Sequence, residues 1–212
     1  MVTLGDSITR GVRPGVKASE TFASLVEKSL RKSGYRVKVT NVGIGGERTD
    51  QALKRLDKVL KKHAPAMMTV MYGTNDSYVD RGKSASRISL KSYEANLRRI
   101  VQHLRAKHVV PILMTEPRWG KNARKNGLGE HPNVRLEKYI DACRRVAREM
   151  KVPLVDHFDV WSKVEAKGID IGKWTTDQCH PNPKGHRIMA DTLRDVLSTV
   201  ILKYQRKYVP SR

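Results

Sequence analysis

The chain has 212 residues, 39% hydrophobic and 30% charged, long enough to bury a core of its own without disulfide or metal staples. No apolar run is long enough for a bilayer span, which excludes an integral helical membrane protein. Lys and Arg number 42 against 21 Asp and Glu, and the formal charge of +21 implies attraction to anionic polymers or surfaces.

Short β-branched runs alternate with longer amphipathic stretches, the pattern of β-α-β units around a mostly parallel sheet. Strands are expected over residues 1–4, 37–42, 67–72, 109–115 and 152–156. The third and fourth read as near-continuous apolar runs, as strands covered on both faces do. Helices are expected over residues 21–32, 49–62, 92–107, 133–150 and 183–203, where apolar residues recur at helical spacing. Neither repeat nor linker interrupts the series, so one domain over residues 1–212 is expected.

Basic residues are spread along the chain, as in Lys54-Arg55 with Lys58, and read as solvated helix faces. With aromatics at 6% and no zinc-ligand or aromatic RNA-binding pattern, specific nucleic-acid recognition is not expected. Two cysteines, Cys143 and Cys179, are too few for a disulfide framework, although a single bridge stays open. The compartment stays open too: the short first strand suits a soluble cytoplasmic protein or an exported one whose leader is absent from this chain.

Four stretches carry chemistry. Gly5-Asp6-Ser7-Ile8-Thr9 follows the first strand and would present a hydroxyl on a tight turn. Asn41-Val42-Gly43-Ile44-Gly45-Gly46 and Gly73-Thr74-Asn75-Asp76 follow the second and third strands, and Asp177-Gln178-Cys179-His180-Pro181-Asn182 precedes the last helix. A serine hydroxyl needs a base to accept its proton and a carboxylate to hold that base, roles open to His180 and Asp177. A tetrahedral intermediate needs donors aimed at its oxygen; the Ser7 and Gly46 amides and the Asn75 side chain qualify, each just beyond a strand end.

Each residue also has a plainer reading. Ser7 would otherwise cap a helix, Asn75 serve as a turn residue, and Gly45-Gly46 cradle a phosphate, although Arg48 breaks the dinucleotide fingerprint. Asp6 reads as structural and Asp76 as support for its turn. His186 falls inside the last helix without a carboxylate beside it and reads as packing, Cys179 reads as structural, and the remaining histidines read as surface or loop residues. A metal site at Asp177, His180 and His186 lacks recognised ligand spacing. Residues 116–132 form a long irregular stretch after the fourth strand, which makes Arg118 and Trp119 candidate substrate contacts.

The four stretches, in this order, resemble the four sequence blocks of the SGNH, or GDSL-type, esterase and lipase family. Ile8 stands where the family name has Leu. The resemblance implies a three-layer α/β/α sandwich around a five-stranded parallel sheet of flavodoxin-like order. It implies Ser7 as nucleophile, His180 as base, Asp177 as its orienter, and Ser7, Gly46 and Asn75 as the oxyanion hole, with no cofactor. The expected activity is hydrolysis of carboxylic esters through an acyl-enzyme on Ser7, with short acyl groups such as acetyl on carbohydrate first. The alternatives are a thioesterase or lysophospholipase with the same residues, or a non-catalytic polyanion-binding module on the same fold.

Overall fold

A computed structural model describes residues 1–208, with side chains described as far as Lys203. In chain order the elements are β1 (Val2–Gly5), α1 (Ser7–Arg10), α2 (Phe22–Lys32), β2 (Thr40–Asn41), α3 (Thr49–His63), β3 (Met67–Met71), α4 (Thr74–Ser77), α5 (Leu90–Ala106), β4 (Val110–Thr115), α6 (Pro132–Glu149), β5 (Leu154–Asp156), α7 (His157–Glu165) and α8 (Pro183–Tyr208). All strand pairs are parallel and the order is β2-β1-β3-β4-β5. The expected five-stranded sheet of flavodoxin-like order is therefore present.

Alternation along β3 shows how two cores arise from one strand. Met68, Val70 and Tyr72 face a core built with α3, α5 and α6, through Leu56, Ile100, Leu104 and Val146. Met67 and Met71 face the opposite core, built with α2, α7 and α8 through Phe22, Val26, Trp161, Leu193 and Leu197. Side chains two apart share a face and neighbours oppose, so a strand buried at every position is covered on both sides. Each fully buried aliphatic side chain adds ~1.5–3 kcal/mol of transfer free energy.

Helix ends are fixed by side chains from the sequence. Thr21 caps α2 through the Ser24 amide, Ser89 caps α5 through the Ser92 amide, and Pro132 opens α6 behind His131. Asn182 accepts from the Lys184 and Gly185 amides at the start of α8.

The structure departs from expectation at four elements: α1 and α4 are single helical turns where plain turns are expected, and β2 and α7 differ too. Only Thr40 and Asn41 of the expected strand over 37–42 pair with β1. β2 lies at the sheet edge with one neighbour, and the Val39 amide donates to the Glu27 carboxylate at 2.6 Å instead of to a strand. α7 was not anticipated; it follows β5 directly, capped by Asp156 through the Asp159 amide. The reversal of strand order between β1 and β3 puts the ends of those two strands side by side, the place where open parallel sheets bind ligands.

Candidate active site

Gly5 ends β1 because nothing larger fits: a Cβ there would lie 2.0 Å from Thr9 Oγ1 and 2.7 Å from the Met71 carbonyl oxygen. The chain then turns into α1. Asp6, not Ser7, is its cap, accepting from the Ile8 amide at 2.8 Å. Ser7 is thus the first helical residue, with its side chain part-exposed and its amide among those a helix leaves without an internal partner.

Ser7 Oγ lies 2.9 Å from His180 Nε2, across 173 residues of sequence. His180 Nδ1 lies 2.8 Å from Asp177 Oδ2 and 3.1 Å from Oδ1. The Asp177 carboxylate also accepts from the His180 amide at 2.8 Å and the Cys179 amide at 3.2 Å. A carboxylate on Nδ1 keeps the proton there and leaves Nε2 free to accept from the serine. Burial works against ionised Asp177, but its bonds from His180 prevail and hold the carboxyl below its usual range. Burial lowers the His180 pKa; Asp177 opposes this, while Arg13 and Arg10 reinforce it. The ring is therefore neutral, and able to accept a proton, at neutral pH.

The turn carrying this pair is fastened at several points. Gln178 adopts the left-handed region at φ 69° and donates its amide to Thr175 Oγ1 at 2.9 Å. Its carbonyl accepts from the Gly120 amide at 2.8 Å, and its side chain lies where a Cβ on Gly120 or Gly172 would come within 2.4 or 2.6 Å of Oε1. Thr176 and Asn182 close the turn by donating to the His180 and Trp174 carbonyls.

Asn75 sits at the start of α4, where Gly73 turns the chain at φ 145°. Its Nδ2 donates to Asp6 Oδ2 at 2.7 Å, and its Oδ1 accepts from Arg87 Nη1 at 3.2 Å. A carboxylate on one side and a guanidinium on the other leave one orientation for the amide, with the second N–H unused by Asp6. Gly46 is exposed and lies at φ 76°, a conformation that suits glycine, and its amide makes no backbone bond among the described residues. Its loop packs tightly on α1: a Cβ on Gly43 would lie 2.3 Å from the Arg10 nitrogen and 2.8 Å from the Asp6 oxygen.

Behind this surface three carboxyl groups are wholly buried: Asp6, Asp76 and Glu116. Burial pushes Asp6 up to about 7, with Asp76 adding repulsion, and Asp76 itself up to about 6. Asp76 accepts from the Thr49 amide and hydroxyl and so ties α4 to α3. Among the described residues neither Glu116 oxygen meets an N–H or hydroxyl donor, and burial together with Asp6 and Asp76 raises its pKa strongly. The protonated acid is the form suited to that position.

Other candidates fall elsewhere. Arg118 ion-pairs with Glu137 at 2.8 Å and Glu165 at 2.7 Å and lies over the Phe158 ring, which occupies its guanidinium in bracing α6 against α7. Trp119 is half-buried, stacks on Tyr78 and precedes the Gly120 contact to Gln178. His186 is buried and its Nδ1 accepts from the Phe22 amide, as a packing residue would. His157, expected among surface or loop histidines, is fully buried at the start of α7, with its pKa driven to about 3 by burial. Cys143 and Cys179 are both buried and unbridged. Among the described residues no cluster of three or more His, Cys, Asp or Glu is arranged to hold a metal ion. No described helix is long and apolar enough to cross a membrane.

Sequence reasoning missed Arg13, whose Nη2 lies 2.7 Å from Asp177 Oδ2, and Arg87 on Asn75. An arginine in a chain this basic carries no positional signal; only the fold shows which ones reach the site.

The parallel sheet and the hydroxyl, imidazole and carboxylate assembled at its carboxyl edge define a serine-type hydrolase, and the chain belongs to the GDSL-like lipase/acylhydrolase family, whose profile it matches over residues 3–188. It is a carboxylic ester hydrolase of the GDSL, or SGNH, type. Among its relatives are the isoamyl acetate-hydrolyzing esterase 1 homolog of Bos taurus, 28% identical over 202 residues covering 89% of this chain and 77% of that protein. The thioesterase 1/protease 1/lysophospholipase L1 of Escherichia coli (strain K12) is 28% identical over 204 residues, 95% of this chain and 84% of that one. In fold the chain is similar to the crystal structure of the acetyl xylan esterase AlAXEase, with a TM-score of 0.76, 21% identity, and coverage of 93% of this chain and 100% of that chain.

Proposed function

We propose that the protein hydrolyses short-chain carboxylic esters, acetyl esters first, through an acyl-enzyme on Ser7. The observation that carries this reading is the unbroken line Ser7 Oγ to His180 Nε2 at 2.9 Å and His180 Nδ1 to Asp177 Oδ2 at 2.8 Å. In the first half-reaction the Ser7 oxygen bonds to the ester carbonyl carbon as its proton passes to His180 Nε2. Asp177 stabilises the imidazolium, and the Ser7 amide, Gly46 amide and Asn75 Nδ2 donate to the developing oxyanion. The tetrahedral species collapses, the alcohol leaves with the proton from His180, and a water activated by the same ring then releases the acid and restores Ser7.

A short acyl group is favoured by the polar rim around Ser7, where Asn75, Arg13 and Arg87 are held by hydrogen bonds, and by the names of the acetate-hydrolysing relatives. An acetyl carbohydrate is the first substrate to try, given the acetyl xylan esterase of similar fold. A second reading, thioester or lysophospholipid hydrolysis with the same residues, has the Escherichia coli relative in its favour.

The test joins labelling to turnover. A fluorophosphonate probe should label Ser7 and no other serine, and Ser7→Ala should lower acetyl ester hydrolysis by at least ~10³-fold, the scale on which a nucleophile acts. Label elsewhere, or a Ser7→Ala variant with parental turnover, would overturn the assignment. Acyl chain-length and thioester series on the parent separate the two readings of substrate.

A further inference from the structure

The rim of the site holds three arginines, and two of them are neutralised. Arg13 is paired with Asp177 at 2.7 Å, and Arg87 with Asp80 at 2.7 Å while also reaching Asn75. Arg10 is exposed at the end of α1, and among the described residues its guanidinium has no carboxylate or hydrogen-bond partner. It lies along the loop that carries Gly46: a Cβ on Gly45 would stand 3.3 Å from Arg10 Nη1 and 3.5 Å from Cζ.

Gly45 gives the clue. Unlike Gly46, it has no left-handed backbone that would call for glycine, and it is exposed, so neither conformation nor core packing excludes a side chain. What a side chain there would meet is the Arg10 guanidinium. The bare backbone lets that planar group lie against the loop, one residue from the proposed oxyanion donor. Other nearby carboxylates are already committed, Glu47 to Arg55 and Asp50 to Arg48. Ile44, beside Gly45, and Val12, two residues beyond Arg10, are each 46% exposed and add apolar surface near them in sequence.

We propose that Arg10 is an anion-recognition residue, and that the enzyme's preferred esters carry an oxyanion, carboxylate or phosphate, close to the scissile bond. This rests on the reading of Ser7 as the nucleophile of an esterase. A free guanidinium presents two parallel N–H groups that match an oxyanion, and it is more weakly hydrated than an ammonium, so it loses less on exchanging water for a ligand. A neutral ester leaves this charge unmatched. The anion on such a substrate would bind Arg10 while its ester carbonyl enters the oxyanion hole, so the contact selects and orients substrate without entering the chemistry.

The experiment compares 4-acetoxybenzoate with 4-acetoxybenzamide, which have equal size and the same acetyl group but differ by one charge, at low ionic strength. Parent kcat/KM should favour the carboxylate at least ~10-fold, mainly through KM. Arg10→Gln should cut that ratio by about tenfold, and Arg10→Glu should bring it below one. Lys107→Gln, which removes one positive charge at the far end of α5, should leave the ratio where it was. The neutral ester serves as internal reference for folding in every variant. With 4-acetoxyphenyl phosphate alongside, the anion whose preference depends more on Arg10 is the class recognised. A parental ratio near one, a ratio that survives Arg10→Gln, or one that falls equally with Lys107→Gln would overturn the subsite alone. No turnover of any acetyl ester by the parent would instead overturn the acetyl-ester reading beneath it.

Discussion

Asp177 Oδ2 serves two cations in turn: His180 whenever the ring is protonated, and Arg13 always. That sharing has a readable sign. In the proposed reaction His180 must be neutral, so kcat/KM should fall as pH drops through its pKa, which burial has lowered and which Arg13 helps to keep low. Replacing Arg13 by Gln removes a cation that penalises the imidazolium and leaves Asp177 wholly to His180. The acid limb of the pH profile should therefore move to higher pH, with plateau kcat reduced by no more than about tenfold, the worth of one charge-assisted hydrogen bond. Arg13→Lys should restore most of the parental profile. An unchanged limb in Arg13→Gln would show the ion pair to be a packing contact only. Of the proposed site residues, Ser7 and Asn75 could be singled out from sequence because each follows a strand end, and Asp177 and His180 because they lie three apart just before the last helix. Arg13 and Arg87, which hold them, could not, because a long side chain reaches its partner across the fold and leaves no local pattern.

Elements were legible to the degree that burial is periodic. α3 and α5 bury an apolar stripe, and β3 is buried at every position, so both signals are strong. β2 is present inside the expected range but shorter, because an edge strand is defined by hydrogen bonds to one neighbour, which the β-branched run Val37, Val39, Thr40 does not report. α7 failed because only His157, Phe158 and Trp161 of its nine residues are buried, too few turns to show a period. The irregular stretch 116–132 stands out in the sequence as a long loop beyond the fourth strand, and the structure ties it by Gly120 to the turn that carries His180. Gly120→Ala tests that tie. Its methyl would lie 2.4 Å from Gln178 Oε1 and 2.8 Å from the Gly172 Cα, so the turn must shift. Misplacing the base by a fraction of an ångström should lower kcat ~10–100-fold while KM for a small ester changes little. Parental kcat with a normal melting temperature would show that the turn holds its place without the loop.

At the scale of the whole molecule, charge is arranged in opposition: an excess of cations outside, and inside a set of buried acids of which Glu116 is the most strongly biased toward its protonated form. Glu116 is buried with its pKa raised strongly, so the folded state binds a proton that the unfolded chain releases above about 4.3. Stability from this group falls as pH rises from the unfolded value toward the folded one, by up to ~1.4 kcal/mol per pH unit over that interval. Glu116→Gln mimics the protonated acid and removes the linkage. Its melting temperature should match the parent's in mild acid and exceed it increasingly at higher pH, by ~3–6 °C per unit while the acid titrates. A constant difference at every pH would show that Glu116 does not titrate on unfolding. Composition showed the cations plainly, whereas the buried acids are invisible in it, since Asp6, Asp76 and Glu116 look like any other carboxylates until the sheet edge closes over them.

The 173 residues that separate Ser7 from His180 also bear on how the enzyme is made. Synthesis runs from the amino end, so the proposed nucleophile is laid down 173 residues before the proposed base exists. Over that interval a growing polypeptide holds an inert hydroxyl, and a product truncated before His180 stays inert. On the proposed mechanism, esterase activity is a signature of chains synthesised past His180, and two fragments divided between Ser7 and His180 would regain it only by finding each other.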